Sequence, residues 1–131
     1  MTHGNEDLVS QQIQLEAPKS GVVLMRNNTG AMQDVTGRVV RYGLMNASSE
    51  QNSKIKSSDF IGITPIIITP DMVGKTIGVF TAIEVKASNW SFKPTDTRAC
   101  AQKNFIDWVV SLGGIAGFCT SVDSFRALIE R

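Results

Sequence analysis

Thr76-Ile77-Gly78-Val79-Phe80-Thr81-Ala82-Ile83-Glu84-Val85-Lys86-Ala87 is the stretch on which the fold turns. Ile77, Val79, Ile83 and Val85 supply the β-branched enrichment of a strand, the longest that the chain offers. Near its end Glu84 and Lys86 stand two apart. Successive side chains alternate across a strand, so the acid and the base share one face while Ile83 and Val85 enter the opposite layer. On most exposed strands such a pair is a solvated salt bridge of small worth, and its surroundings decide whether it means more.

Upstream, Asp59-Phe60-Ile61-Gly62-Ile63-Thr64 and Ile66-Ile67-Ile68-Thr69 read as central strands, separated by Pro65 and closed by Pro70-Asp71. Gly21 introduces Val22-Val23-Leu24-Met25, a β run ended by the polar group Arg26-Asn27-Asn28-Thr29-Gly30, and Arg38-Val39-Val40-Arg41-Tyr42 after Gly37 reads as its hairpin partner. The polar segment from Asn46 to Ser58 predicts an exposed, mobile loop. Residues 5 to 17 predict a surface helix, with Asn5 as a cap and Pro18 closing it.

Downstream of a loop holding Trp90, Phe92 and Pro94, a helix is expected to start at Asp96 or Thr97. Ala101, Phe105, Trp108 and Leu112 recur at helical spacing, so Phe105 and Trp108 read as core, and Gly113-Gly114 supplies the stop. Ile115 to Thr120 is a last strand. Val122 to Arg131 is a closing helix with Phe125, Leu128 and Ile129 on one side. Helix, several strands, helix and strand in this order predict an α/β sandwich with one mixed sheet. No internal repeat or second domain is evident, so residues 1–131 are expected to form a single domain.

Composition agrees with a folded chain: 131 residues, 42% hydrophobic, with four prolines. Thirteen basic residues against twelve acidic ones leave a net charge of +1, which announces no polyanion partner by itself. Between Lys19 and Ser57, however, six basic residues (Lys19, Arg26, Arg38, Arg41, Lys54, Lys56) face two acidic ones (Asp34, Glu50), and that segment is placed to meet phosphates. Cys100 and Cys119 form no Cys-x-x-Cys pair, so reduced thiols in a cytoplasmic protein are expected. The polar, acidic start from Met1 to Ser10 has none of the pattern of a secretion signal. Apolar runs such as Phe60 to Thr69 fall short of the roughly 20 residues that a spanning helix needs. No membrane association is expected. His3 is the single histidine, which argues against histidine-based hydrolysis and histidine metal clusters.

Asp59 precedes Glu84 by 25 residues (84 − 59) at the start of another strand. If the two strands are neighbours their carboxylates meet, and such groups repel unless a cation joins them. Magnesium suits the arrangement because it takes one or two carboxylates, keeps several waters and leaves positions for a phosphate oxygen; the Val85 carbonyl offers a further ligand. Lys86 is then placed to position or deprotonate a nucleophile and to stabilise developing negative charge. The predicted reaction class is phosphodiester hydrolysis.

Gln102 has Ile106 and Val109 at i+4 and i+7, which puts its amide over an apolar face; the plain alternative is a surface glutamine. Arg26, Asn27, Asn28 and Thr29, and more weakly Arg41, offer donors to phosphate oxygens, with an ordinary polar turn as the alternative. Tyr42, Trp90 and Phe92 are candidates for base stacking, or for plain packing.

The set Ser58-Asp59-Phe60-Ile61-Gly62, then Ala82-Ile83-Glu84-Val85-Lys86, then Gln102 opening Lys103-Asn104-Phe105-Ile106-Asp107-Trp108 resembles the PD-(D/E)XK nuclease superfamily. Within it the pattern is similar to the virus-type replication-repair nuclease (VRR-NUC) family, from about Glu6 to Phe125. The resemblance implies a restriction-endonuclease-like α/β/α sandwich around a central mixed β-sheet. It implies Asp59 and Glu84 as metal ligands, Lys86 as the catalytic lysine and Gln102 beside the metal. Glu6 matches the family's helix glutamate, or is an acid favoured by the helix dipole in a first turn. The implied activity is magnesium-dependent hydrolysis of branched or structured DNA, with manganese as a substitute. The implied protein is a Holliday-junction-resolvase-like homodimer, working in replication, recombination or repair in a bacterial or phage-infected cell. The alternative is a catalytically silent nuclease fold that binds nucleic acid or protein.

Overall fold

A computed structural model of the chain describes residues 3–130, with the side chains of residues 3 and 4 outside that description; the His3 side chain and Arg131, the expected end of the closing helix, therefore lie outside the described residues. The chain is of mixed α/β type, as expected, and divides into two compact units, Met1–Thr64 and Pro65–Arg131. Where the sequence predicts one mixed sheet, the described strands pair in three two-stranded ladders. No described helix is long and apolar enough to cross a membrane.

The first unit opens with α1 (His3–Lys19). It is a surface helix, with Leu8, Val9, Ile13 and Leu15 exposed and Ala17 buried. Pro18 lies inside its last turn rather than beyond it. The stop comes from Gly21, whose φ of 72° lets the Val22 amide return to the Ala17 carbonyl at 2.9 Å, a left-handed cap that glycine adopts without a Cβ clash. β1 (Val23–Arg26) then pairs antiparallel with β4 (Phe60–Ile63), Val23 opposite Ile63 and Arg26 opposite Phe60. At Gly62 a Cβ would collide with the Val23 carbonyl, so the close pairing depends on that glycine.

The expected hairpin between the Val22 run and the Arg38 run does not form. β3 (Val39–Tyr42) pairs instead with β2 (Gly30–Gln33). The turn dictates this choice: Asp34 accepts bonds from the Thr36 hydroxyl at 2.6 Å and from the Thr36 and Arg38 amides, each at 2.9 Å. An aspartate that binds its own following backbone in this way closes a tight reversal. The segment 46–58 also departs from a plain loop, since it contains α2 (Ser49–Lys54). Ser48 caps that helix by accepting from the Gln51 amide, while the Gln51 side chain accepts from the Ala47 amide at 2.8 Å, a variant of the reciprocal capping box. Asn46, 7% exposed, donates to the Gly30 and Tyr42 carbonyls and pins the segment to the hairpin.

In the second unit, Ile66, Ile67 and Ile68 are extended in character but unpaired, with Ile67 87% exposed. A 3-10 turn (Pro70–Met72) follows. Of the long run from Thr76 to Ala87, only β5 (Thr81–Val85) is paired, in parallel with β6 (Ile115–Cys119). A parallel pair needs a crossover, supplied here by α3 (Thr97–Ser111). Asp96 caps α3 by accepting from the Ala99 amide at 3.0 Å. Gly113, at φ 91°, ends it as its amide bonds the Val110 carbonyl and the Gly114 amide bonds that of Val109, the six-to-one return that satisfies the last carbonyls.

Ala99, Ile106, Val109, Ile115, Ala116 and Cys119 make the core of this unit. The buried stripe of α3 is thus rotated from the predicted one, leaving Phe105 41% and Trp108 39% exposed. α4 (Val122–Ile129), capped reciprocally by Ser121 and Ser124, sets Leu128 where a Cβ on Gly117 would point. Glu84 and Phe118 are partners in register, so they share the other face. The two helices therefore cover opposite faces of the β5–β6 pair.

Candidate functional site

Glu84 is half-buried on β5 beneath α3. The Gln102 Nε2 amide donates to Glu84 Oε1 at 2.6 Å, a short, charge-assisted bond. Physics fixes the orientation of this amide, because the flipped form would press two oxygens together. Its oxygen, Gln102 Oε1, is left buried without a hydrogen-bond partner, and an orphaned buried acceptor costs about 1–3 kcal/mol. The pair lines a cleft of about 440 Å³ with Ala82, Arg98 and Phe105. Helical spacing explains the placement: Ile106 and Val109 are buried, and Gln102 is carried in with them.

Lys86 lies one alternation beyond Glu84, yet the two are not an ion pair. Among the described residues the ion pairs join Lys54 to Glu50 and Lys103 to Asp107. The Lys86 ammonium sits over two rings instead, 5.4 Å from the centroid of Trp90 and 5.8 Å from that of Phe118. The ordinary fate of an exposed Glu-x-Lys pair, mutual neutralisation, is therefore not the one found. Each charge has a neutral partner of its own.

The remaining candidates belong to the first unit. Glu6, Asp7, Arg26, Asn27, Asn28 and Asp59 line one cleft there. Asp59 is exposed at the foot of β4, and its carbonyl accepts from the Asn27 amide at 2.9 Å. The donors predicted for phosphate are partly engaged within the chain: Asn27 donates to the Ser57 hydroxyl at 2.9 Å and to the Ser58 carbonyl at 2.8 Å. Arg26 Nε donates to Asn28 Oδ1 at 3.1 Å, keeping its terminal nitrogens for other partners. Thr29 is exposed beside Gly43, and Arg41 donates to Asn46 Oδ1 at 3.4 Å within the hairpin network. With one cation against three carboxylates, this cleft is not a basic groove.

Comparison with protein-family models, with curated proteins and with solved structures finds no match.

The chemistry then rests on the donors. Glu84 supplies a carboxylate and Val85 a main-chain carbonyl, both hard oxygen donors, whereas Gln102 Oε1 is buried and out of reach of an ion that keeps its waters. Among the described residues no three His, Cys, Asp or Glu side chains gather as an all-protein cage. A mostly hydrated magnesium ion fits such a sparse oxygen set; zinc, which prefers nitrogen and sulfur in closed tetrahedra, does not. Sequence reading missed the rings that hold Lys86. Trp90, four residues on, left a faint signal, but Phe118 left none, because only the strand register places it opposite Glu84.

Proposed function

We propose that the protein is a magnesium-dependent DNA endonuclease that hydrolyses phosphodiester bonds in branched or structured DNA, in the manner of a Holliday-junction resolvase. In this reading it serves bacterial or phage replication, recombination or repair, as a homodimer built on a restriction-endonuclease-like sandwich. One observation carries it: Glu84 and Lys86 share a strand face without neutralising each other, the carboxylate held by the Gln102 amide and the ammonium by the rings of Trp90 and Phe118.

Glu84 and the Val85 carbonyl would hold the ion, with Gln102 beside it; the family resemblance alone implies Asp59 and Glu6 as further ligands. When bound, magnesium supplies a more acidic water and charge neutralisation at the phosphate. Gln102 keeps the Glu84 carboxylate oriented through its 2.6 Å bond. Lys86 offers its ammonium to a phosphate oxygen on which charge grows, an interaction that strengthens toward the transition state. Arg26 and its neighbours meet the DNA backbone, which positions the substrate without reading bases.

The test is cleavage of labelled junction, flap and duplex DNA with magnesium or manganese, comparing the wild type with Glu84→Ala and Lys86→Ala. Cutting by the wild type and far slower cutting by both variants are expected. Undiminished cutting by both variants removes the site. No cutting by the wild type on any substrate favours the silent binding module. Sizing with light scattering is expected to give twice the chain mass, since a four-way junction presents two symmetry-related strands.

A further inference from the structure

We infer that Trp90 is a positioning residue for Lys86: its ring, backed by Phe118, holds the ammonium on the Glu84 face of β5 while leaving N–H donors free for substrate. The role of Lys86 in this inference rests on the nuclease reading above; its placement does not.

The distances of 5.4 and 5.8 Å from Lys86 Nζ to the two ring centroids lie within the roughly 6 Å over which a ring face attracts a cation. The rings act as a unit. Trp90 and Phe118 are 4.7 Å apart between centroids at 43°, and Phe92 stands 6.4 Å from Trp90 and 6.2 Å from Phe118. Phe118 is fixed by its register on β6, and the Trp90 amide bonds the Ala87 carbonyl at 2.9 Å, closing the turn that brings the indole back toward the strand. Two separate backbone constraints thus converge on one ammonium.

A lysine two residues from a glutamate on one face has an obvious partner in that carboxylate. Pairing would engage N–H donors of the one and oxygens of the other. An aromatic face attracts the charge and packs the methylene stem, while N–H bonds directed away from the ring remain available to a phosphate oxygen. Glu84, held by Gln102, is relieved of the same pairing.

The experiment uses the full chain. In metal-free protein, NMR of the Lys86 ε-methylene, assigned by its loss in Lys86→Arg, is expected to show an upfield ring-current shift relative to the other lysines. Trp90→Leu is expected to abolish most of that shift and Trp90→Phe to retain part of it, with amide spectra reporting the fold of each. A wild-type Lys86 methylene at the position of solvated lysines overturns the inference, and this reading stands even where Trp90→Leu does not fold. So does a shift unchanged by Trp90→Leu in a folded chain. On labelled junction DNA with magnesium, Trp90→Leu is expected to lower kcat about fivefold, the scale of one cation–π contact, with KM unchanged and Trp90→Phe restoring most of it. An unchanged kcat in folded Trp90→Leu overturns the positioning role. A wild type that cuts no DNA yet shows the ring-shifted methylene sinks the nuclease reading and upholds the placement of Lys86.

Discussion

The cleft of the first unit and the cleft of the second hold similar residue types, and they hold them differently. In the first, Glu6, Asp7, Asp59 and Arg26 stand on exposed positions, and Asn27 is committed to Ser57 and Ser58. In the second, Glu84 sits on a strand paired to β6 and covered by α3, with its amide partner half satisfied. Solvent relaxes around exposed charges, whereas a charge on a packed strand keeps its direction and its partner, which is what electrostatic catalysis needs. The number of polar residues does not separate the two clefts; how firmly packing and partners hold them does.

The contrast breaks most sharply in turnover. Glu84→Ala and Lys86→Ala are expected to lower the rate of DNA cleavage by about 10²–10³. Arg26→Ala is expected to weaken DNA binding and to reduce the slope of log affinity against log salt by about one, as for one lost phosphate contact. A larger loss of turnover from Arg26→Ala than from Glu84→Ala would move the working site to the first unit. Metal binding gives the next largest effect. At magnesium tenfold above its dissociation constant, unfolding of the wild type is expected to be about 1.4 kcal/mol costlier than in chelator. Glu84→Ala should lose that increment. Asp59→Asn keeps shape and loses charge, so calorimetry that finds its magnesium affinity unchanged would remove Asp59 from the ligand set.

A smaller effect separates bonds that hold the fold from groups that face outward. Asn27→Ala deletes the bonds to Ser57 and Ser58 and is expected to cost about 1 kcal/mol in denaturant unfolding. Asn28→Ala releases only Arg26 Nε from an exposed bond and is expected to leave stability unchanged. Equal costs for the two would mean that Asn27 is as free for phosphate as its neighbour.

These contrasts mark the boundary of what the sequence reveals. The Asp96 cap, the Gly113-Gly114 stop and the β6 strand were legible because each is written in residues adjacent along the chain. Ile66-Ile67-Ile68 has the same β-branched chemistry as Ile83 and Val85, yet it is unpaired; propensity makes a segment extended without providing a neighbour. Gly30-Ala31-Met32-Gln33 went unseen for the opposite reason, since a partner and the Asp34 turn make it a strand despite weak propensity. Phe105 and Trp108 fit the helical period but sit to one side of the stripe that Ala99, Ile106 and Val109 bury. Within the site, the facing of Glu84 and Lys86 followed from alternation alone. Their separate partners did not, because Gln102 and Phe118 reach them through the α3 crossover and the β6 register.

The Asp34 turn gives the smallest expected effect and the strictest check on how that hairpin is held. Its carboxylate accepts first from the Thr36 hydroxyl and then from the Arg38 and Thr36 amides, and bonds to the ionised form hold its carboxyl below the usual 3.8. A carboxyl more acidic in the folded chain than in the unfolded one stabilises the fold at pH above the unfolded value, and that contribution disappears as pH falls through the folded one. Asp34→Ala is therefore expected to lower Tm slightly near neutral pH, with the difference from wild type shrinking as the solution is acidified below the ordinary carboxylate range. A Tm difference that stays constant across this acid range would mean that the turn is held by its backbone reversal, with the charge of Asp34 irrelevant to the choice of β2 over β1 as the partner of β3.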